Sequence, residues 1–163
     1  MKTYWRRRRN RLLRRRVHPV GAVLDVGSGW RVFSPQAIRL DINPANKPDV
    51  VADIQQPTSF PAGHFDTVLM FDVLEHIENP HRALDEVKRL LKPGGVLYMT
   101  IPFCYPRHGV EYYRFSDLAL RKMLAEFETE IVPVIKSKFW NFVWNYSRQD
   151  PLVEGYFVRA KKR

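Results

Sequence analysis

The stretch Val23-Leu24-Asp25-Val26-Gly27-Ser28-Gly29 is an apolar run that ends in a glycine turn. A buried strand of a parallel sheet is a short hydrophobic run of this kind, and glycines at its carboxyl end let backbone N–H groups approach a ligand that a Cβ would keep out. Gly27 and Gly29 supply the turn, with Asp25 and Ser28 beside them as candidate ligand contacts. G-x-G alone is a weak signal. The longer G-x-G-x-x-G pattern fails here because its sixth position is Val32, which argues against a dinucleotide loop and a nicotinamide cofactor.

Outward from this stretch, short apolar segments recur at 22–26, 37–41, 49–52, 66–71, 95–101, 129–134 and 155–160, and each reads as a strand. A helix is predicted over 80–92. Asn79 is its cap, Pro80 its first residue, Ala83, Leu84, Val87, Leu90 and Leu91 its apolar stripe, and Pro93-Gly94-Gly95 its stop. A second helix is predicted over 116–126, capped by Ser116 and burying Leu120, Met123, Leu124 and Phe127. Strands alternating with helices imply a doubly wound α/β sheet with right-handed crossovers. The first crossover is too short for a full helix, since Gly29 and Ala37 are separated by fewer residues than the ~10–12 a βαβ connection takes. At most a turn or two is expected there.

A chain of 163 residues suits one domain with one core. The single cysteine, Cys104, excludes an internal disulfide and is consistent with a reducing, cytoplasmic setting. The apolar runs are all shorter than the ~20 residues that span a bilayer. The net charge of +10 is concentrated at one end: residues 1–16 hold nine of the 27 basic side chains and none of the 17 acidic ones, so the remainder is almost neutral. Residues 1–18 therefore read as a basic, flexible tail and 19–163 as a single domain. Within the tail, Trp5, Leu12 and Leu13 stand among the arginines.

Acidic residues close three successive strands: Asp41 in Ile38-Arg39-Leu40-Asp41-Ile42-Asn43-Pro44, Asp53 in Asp49-Val50-Val51-Ala52-Asp53-Ile54, and Asp72 after Phe71. Open α/β sheets bind ligands along this rim, and an ionised carboxylate there accepts strong hydrogen bonds from ribose hydroxyls. Asp41 alone also reads as a turn former before Asn-Pro. A rim of carboxylates suits a cationic, adenosine-bearing ligand better than a pyrophosphate.

With these segments in place the chain resembles the class I S-adenosylmethionine-dependent methyltransferases of the small kind called type 11. The matching segments are Val23–Gly29, Leu40–Pro44, Val51–Ile54, Phe65-Asp66-Thr67-Val68-Leu69-Met70-Phe71-Asp72-Val73-Leu74-Glu75-His76 and Leu90-Leu91-Lys92-Pro93-Gly94-Gly95-Val96-Leu97. The resemblance implies a Rossmann-like sheet of seven strands in the order 3-2-1-4-5-7-6, the last antiparallel, with S-adenosyl-L-methionine as cofactor. It implies that Gly27 and Gly29 flank the methionine part, that Asp41 holds the ribose, that Ile42 packs on the adenine, that Asp53-Ile54 reads the adenine edge, and that Asp25, Ser28 and Phe71 also bind the cofactor. The chain departs from the family at Arg31, where a third glycine is usual, and in its clipped first crossover.

Methyl transfer from a sulfonium is an in-line displacement that rests on positioning, and a base is needed only when the acceptor must lose a proton. His76 is the candidate base; its alternative reading is a packing or surface histidine. Its neighbour Glu75 is expected to point elsewhere, as adjacent helical residues do not share a face. In the loop Pro102–Phe115, His108, Tyr112 and Arg114 are candidate acceptor contacts, while Tyr113 and Phe115 also read as anchors of the next helix. The histidines lack metal-ligand spacing, so no metal is expected. The aromatic cluster Phe139–Tyr146 reads as core. The basic tail suits an anionic membrane surface or RNA, or a processed targeting segment. Two functions follow as expectations: a methyltransferase acting on a small-molecule, glycan or lipid-like acceptor, cytoplasmic or peripheral at the membrane, or a methyltransferase-like binding module that docks through its arginines.

Overall fold

The computed structural model describes residues 4–104, 109–135 and 153–163, with side chains from residue 7 onward. The cluster Phe139–Tyr146 and the candidate His108 lie outside the described residues. Seven strands, β1 (Val23–Val26), β2 (Ile38–Asp41), β3 (Val50–Val51), β4 (Phe65–Phe71), β5 (Leu91–Pro102), β6 (Phe127–Ile135) and β7 (Val153–Lys162), form one sheet in the order β3-β2-β1-β4-β5-β7-β6. The first five run parallel, and β7 is antiparallel to both of its neighbours. This is the Rossmann-like methyltransferase sheet implied by the resemblance, with every expected strand present.

Local sequence explains the helices. In α2 (Pro80–Leu90) the Asn79 side chain accepts from the Arg82 N–H at 3.3 Å, and Ala83, Leu84, Val87 and Leu90 are buried. The helix ends two residues before its expected limit because Leu91 already pairs with Phe65 as the start of β5. Its exposed carbonyl end is closed from across the sheet: Lys162 Nζ donates to the carbonyls of Lys88 and Leu91, each at 2.6 Å. In α3 (Asp117–Met123) the Ser116 hydroxyl accepts from the Ala119 N–H at 3.2 Å. Between β1 and β2 no helix forms. The chain instead returns through turns, with the Gly27 and Ser28 N–H groups both donating to the Leu40 carbonyl at 2.8 and 3.3 Å.

The sheet buries side chains on both faces, and the alternation is visible strand by strand. Val68 and Met70 of β4, Leu97, Met99 and Ile101 of β5, and Tyr156 and Val158 of β7 pack with α2 and with Leu120 and Leu124. Their in-between neighbours Leu69, Tyr98 and Phe157 face the other side, where they meet Leu13 and Val17.

That contact corrects the reading of the amino-terminal segment as a flexible tail. Tyr4–Arg16 is a helix, α1, laid on the sheet's second face. Arg9, Leu13 and Val17, spaced i, i+4 and i+8, are 8%, 3% and 6% exposed. Arg9 forms an ion pair with Asp72, Arg8 donates to the Ile135 carbonyl, and Arg16 pairs with Glu130. A buried seam flanked by ion pairs is what overrides the self-repulsion of the arginines. Leu13→Ala is expected to destabilise the protein by about 2–5 kcal/mol, read as a shift in the denaturant midpoint. A tail that did not dock would leave the midpoint where it was.

Candidate functional site

The loop after β1 is fixed by sterics as well as hydrogen bonds. Gly27 has φ +62°, and a Cβ there would stand 2.6 Å from Val73 Cγ2, so the loops that follow β1 and β4 touch only because this residue has no side chain. Beneath the loop is a cavity of about 400 Å3. Asp25, Gly27, Ser28 and Phe71 line one part of it; Arg31, Val32 and Phe33 of the short crossover and Arg9, Asn10, Leu13 and Arg14 of α1 close the rest. Phe33 meets Phe71 edge to face, with ring centroids 4.9 Å apart. Asp25 is buried, and burial pushes its carboxyl up to about 7, with nearby Arg39 opposing the shift and Asp41 adding to it.

The remaining expected cofactor residues lie along the rim beyond the cavity. Asp41 is buried at the end of β2; one carboxylate oxygen accepts from the Gly29 N–H at 2.8 Å and from Asn46 Nδ2 at 3.1 Å, the other from the Asn43 N–H at 2.8 Å. A carboxylate offers about four acceptor positions, so one remains for a ligand hydroxyl. Ile42 is 65% exposed, an apolar platform beside it. Asp53 accepts from the backbone and side chain of Gln55. The Ile54 side chain is in the core, so its backbone is the part that can face a ligand.

On the other side of β4 the chain turns sharply. Asp72 adopts φ +54°, held by Thr100 Oγ1, which donates to it at 2.7 Å, and by Arg9. Val73 then leads into a 3-10 turn, Leu74–His76. The tight turn corrects the expectation that Glu75 points away from His76: Glu75 Oε1 lies 3.7 Å from His76 Nε2. His76 is exposed, and its Nδ1 lies 2.6 Å from the Val110 carbonyl, which fixes the Nδ1–H tautomer and leaves Nε2 as the acceptor when the ring is neutral. Glu75 is 1% exposed, and its Oε2 has no hydrogen-bond partner. Burial, reinforced by the charge of Asp72, pushes its carboxyl up to about 8.

The loop from Gly109 closes over this turn. The Tyr112 N–H donates to the Glu75 carbonyl at 2.8 Å, Tyr112 is half exposed, and Arg114 forms an ion pair with Glu111. Tyr113 Oη donates to the Glu78 carbonyl at 2.9 Å and Phe115 is buried, so both anchor the loop. The loop that carries Tyr112 and Arg114 is thus fastened to the turn that carries His76, and none of the three lines the Asp25 cavity. Among the described residues no group of three or more His, Cys, Asp or Glu side chains could hold a metal ion.

Sequence reasoning missed the contribution of α1 to the cavity wall and the pairing of Glu75 with His76. The first had a signal in the Arg9, Leu13, Val17 spacing. The second had none, because it depends on a single tight turn.

A family model described as a methyltransferase domain matches residues 1–134. A ubiquinone biosynthesis O-methyltransferase of Caulobacter vibrioides is 35% identical over 72 residues, which is 44% of this chain and 25% of that protein. A protein of the same name from Maricaulis maris is 52% identical over 33 residues, 20% of this chain and 13% of its own length. The chain therefore spans a quarter or less of these curated relatives. A solved S-adenosylmethionine-dependent methyltransferase from Mesorhizobium loti superposes with TM-score 0.71 at 16% identity, covering 95% of this chain and 98% of that one. One described as a putative S-adenosylmethionine-dependent methyltransferase from Listeria monocytogenes gives 0.74 at 11% identity, covering 96% and 97%. By its family match, its motifs and its sheet order, the chain belongs to the methyltransferase-domain family, in the class I, S-adenosylmethionine-dependent group.

Proposed function

We propose that the protein transfers a methyl group from S-adenosylmethionine to a hydroxyl of a small-molecule, glycan or lipid-like acceptor seated between His76 and Tyr112. The observation that carries this reading is the continuous rim from buried Asp25, through the Gly27–Gly29 turn, to Asp41, tied together by the Gly29 N–H to Asp41 hydrogen bond. The residues fit the cofactor. Asp25 is an acidic group buried in the cavity wall, suited to the ammonium end; Asp41 retains one acceptor position for ribose, and Ile42 offers an apolar face for adenine. When bound, S-adenosylmethionine supplies an electrophilic methyl group on a sulfonium.

The chain's own residues do the rest. Asp25 and Asp41 hold the two ends of the cofactor, so that approach of the acceptor becomes a matter of orientation. His76 Nε2, the unprotonated nitrogen of the tautomer set by Val110, takes the proton of the acceptor hydroxyl. The Val110 carbonyl on Nδ1 is the positioning group, and Glu75 Oε1, 3.7 Å from Nε2, adds a carboxyl beside the nitrogen that takes the proton. An oxygen acceptor agrees with the names of the Caulobacter and Maricaulis relatives, which are O-methyltransferases.

Calorimetric titration is expected to give S-adenosylmethionine binding and none with NAD, and Asp41→Ala to weaken the former by about tenfold or more while the melting point confirms a folded protein. No binding to the wild-type chain overturns the assignment. Below about pH 7 the Asp25 carboxyl is protonated, and a cationic ligand favours its ionised form, so affinity rises with pH. Between pH 6 and 8 the gain is about tenfold, with a proton released on binding that Asp25→Asn abolishes. An affinity flat over that range assigns Asp25 a purely structural role. With labelled cofactor and a small-molecule and lipid extract, His76→Gln is expected to reduce methyl transfer by about 100-fold or more with cofactor affinity unchanged. Cofactor binding without any transfer by the wild type favours the binding-module reading.

A further inference from the structure

Among the described residues the outward face of α1 is exposed. At 3.6 residues per turn, Arg7, Arg11, Arg14 and Arg15 fall within an arc of about 100°, opposite the buried seam of Arg9 and Leu13, and all four are exposed. The stripe runs about 12 Å along the helix. No acidic residue precedes Asp25 in the chain, so nothing nearby in sequence neutralises it.

Beside the stripe stands an apolar projection. Trp30 is 76% exposed, Val32 59% and Phe33 37%, all in the helix-less crossover, and the Arg31 guanidinium lies over the Trp30 ring at 4.9 Å. Arg14 of the stripe and Arg31, Val32 and Phe33 of the crossover border the same cavity, so the two features are neighbours in space.

We infer that the α1 arginine stripe and the Trp30–Phe33 loop together form a docking surface for an anionic lipid bilayer. The two parts divide the work. Basic residues near an anionic leaflet contribute additively and are screened by salt, whereas exposed tryptophan and aliphatic side chains sit at the boundary between headgroups and acyl chains. Charge alone fits any polyanion. The aliphatic Val32 at the tip has no use in stacking on bases, and Trp30 stands without the run of aromatics that a single-stranded nucleic acid requires. Docked in this way, the protein sets the part of the Asp25 cavity wall that holds Arg14 and Val32 against the bilayer. Binding to vesicles requires no turnover, so its outcome is independent of the proposed methyl transfer.

The test is flotation of the full chain with phosphatidylcholine vesicles, with and without about one third phosphatidylglycerol. Binding is expected only with the anionic lipid, and is largely lost at about 0.5 M salt. Replacing Arg7→Gln, Arg11→Gln and Arg15→Gln together reduces partitioning by about tenfold or more, and Trp30→Ala with Val32→Ser by about three- to tenfold. Circular dichroism and the melting point identify any variant that has lost α1, and in that case the loop double variant alone decides. Failure of the wild type to float, equal flotation of folded variants, or capture of a single-stranded RNA oligomer in place of vesicles overturns the inference.

Discussion

A parallel sheet is apolar on both faces and must be covered on both. In this chain β4, β5 and β7 alternate strictly, with Leu69, Tyr98 and Phe157 on one side and Met70, Met99 and Val158 on the other. The helix that a doubly wound fold places after its first strand is absent, and α1 covers part of the second face through Leu13 and Val17. The most hydrophilic segment of the sequence thereby performs a hydrophobic task. Two apolar side chains and the stem of Arg9 suffice, because the ion pair with Asp72 keeps that buried guanidinium compensated.

The same pairing joins the scaffold to the site. Asp72 sits in the left-handed region at the end of β4, and Thr100 on β5 and Arg9 on α1 hold its carboxylate. Immediately beyond, the chain makes the 3-10 turn that brings Glu75 toward His76 and carries the Tyr112 loop. On the opposite flank, Gly27 permits contact with Val73, so the loops after β1 and β4 form a single packed unit. Two carboxyls are pushed up by burial, Asp25 to about 7 in the cavity wall and Glu75 to about 8 beside His76 Nε2. Burial is the main cause of both shifts, and Arg39 near Asp25 and Arg114 near Glu75 oppose them only in part.

Much of this was legible from residues alone. The seven strands follow from short apolar runs, α2 from Asn79-Pro80 and its stripe, and the glycine turn and carboxylate rim from their positions at strand ends. Three readings needed the structure, each for a physical reason. The burial of Arg9 has a signal in its i, i+4, i+8 spacing with Leu13 and Val17, but a segment dominated by arginines hides it by reading as solvated throughout. The Ile54 side chain is core, three residues past the two-residue strand β3, and the apolar run 49–52 does not reveal this. Glu75 meets His76 because a 3-10 turn spaces neighbours differently from an α-helix.

The position of β7 has a consequence for synthesis. It is the last strand in sequence, yet it lies between β5 and β6 and is hydrogen-bonded to both. A ribosome-bound chain can therefore assemble the leaf from β3 to β5, but β6 emerges with no neighbour to receive it, and the edge of β5 stays open until residues 153–162 have cleared the exit tunnel. Lys162, which closes the end of α2, arrives with β7. Closure of the sheet is thus a late, long-range event, and the nascent chain passes through an interval in which two strand edges depend on chaperones or on speed to escape pairing with other chains.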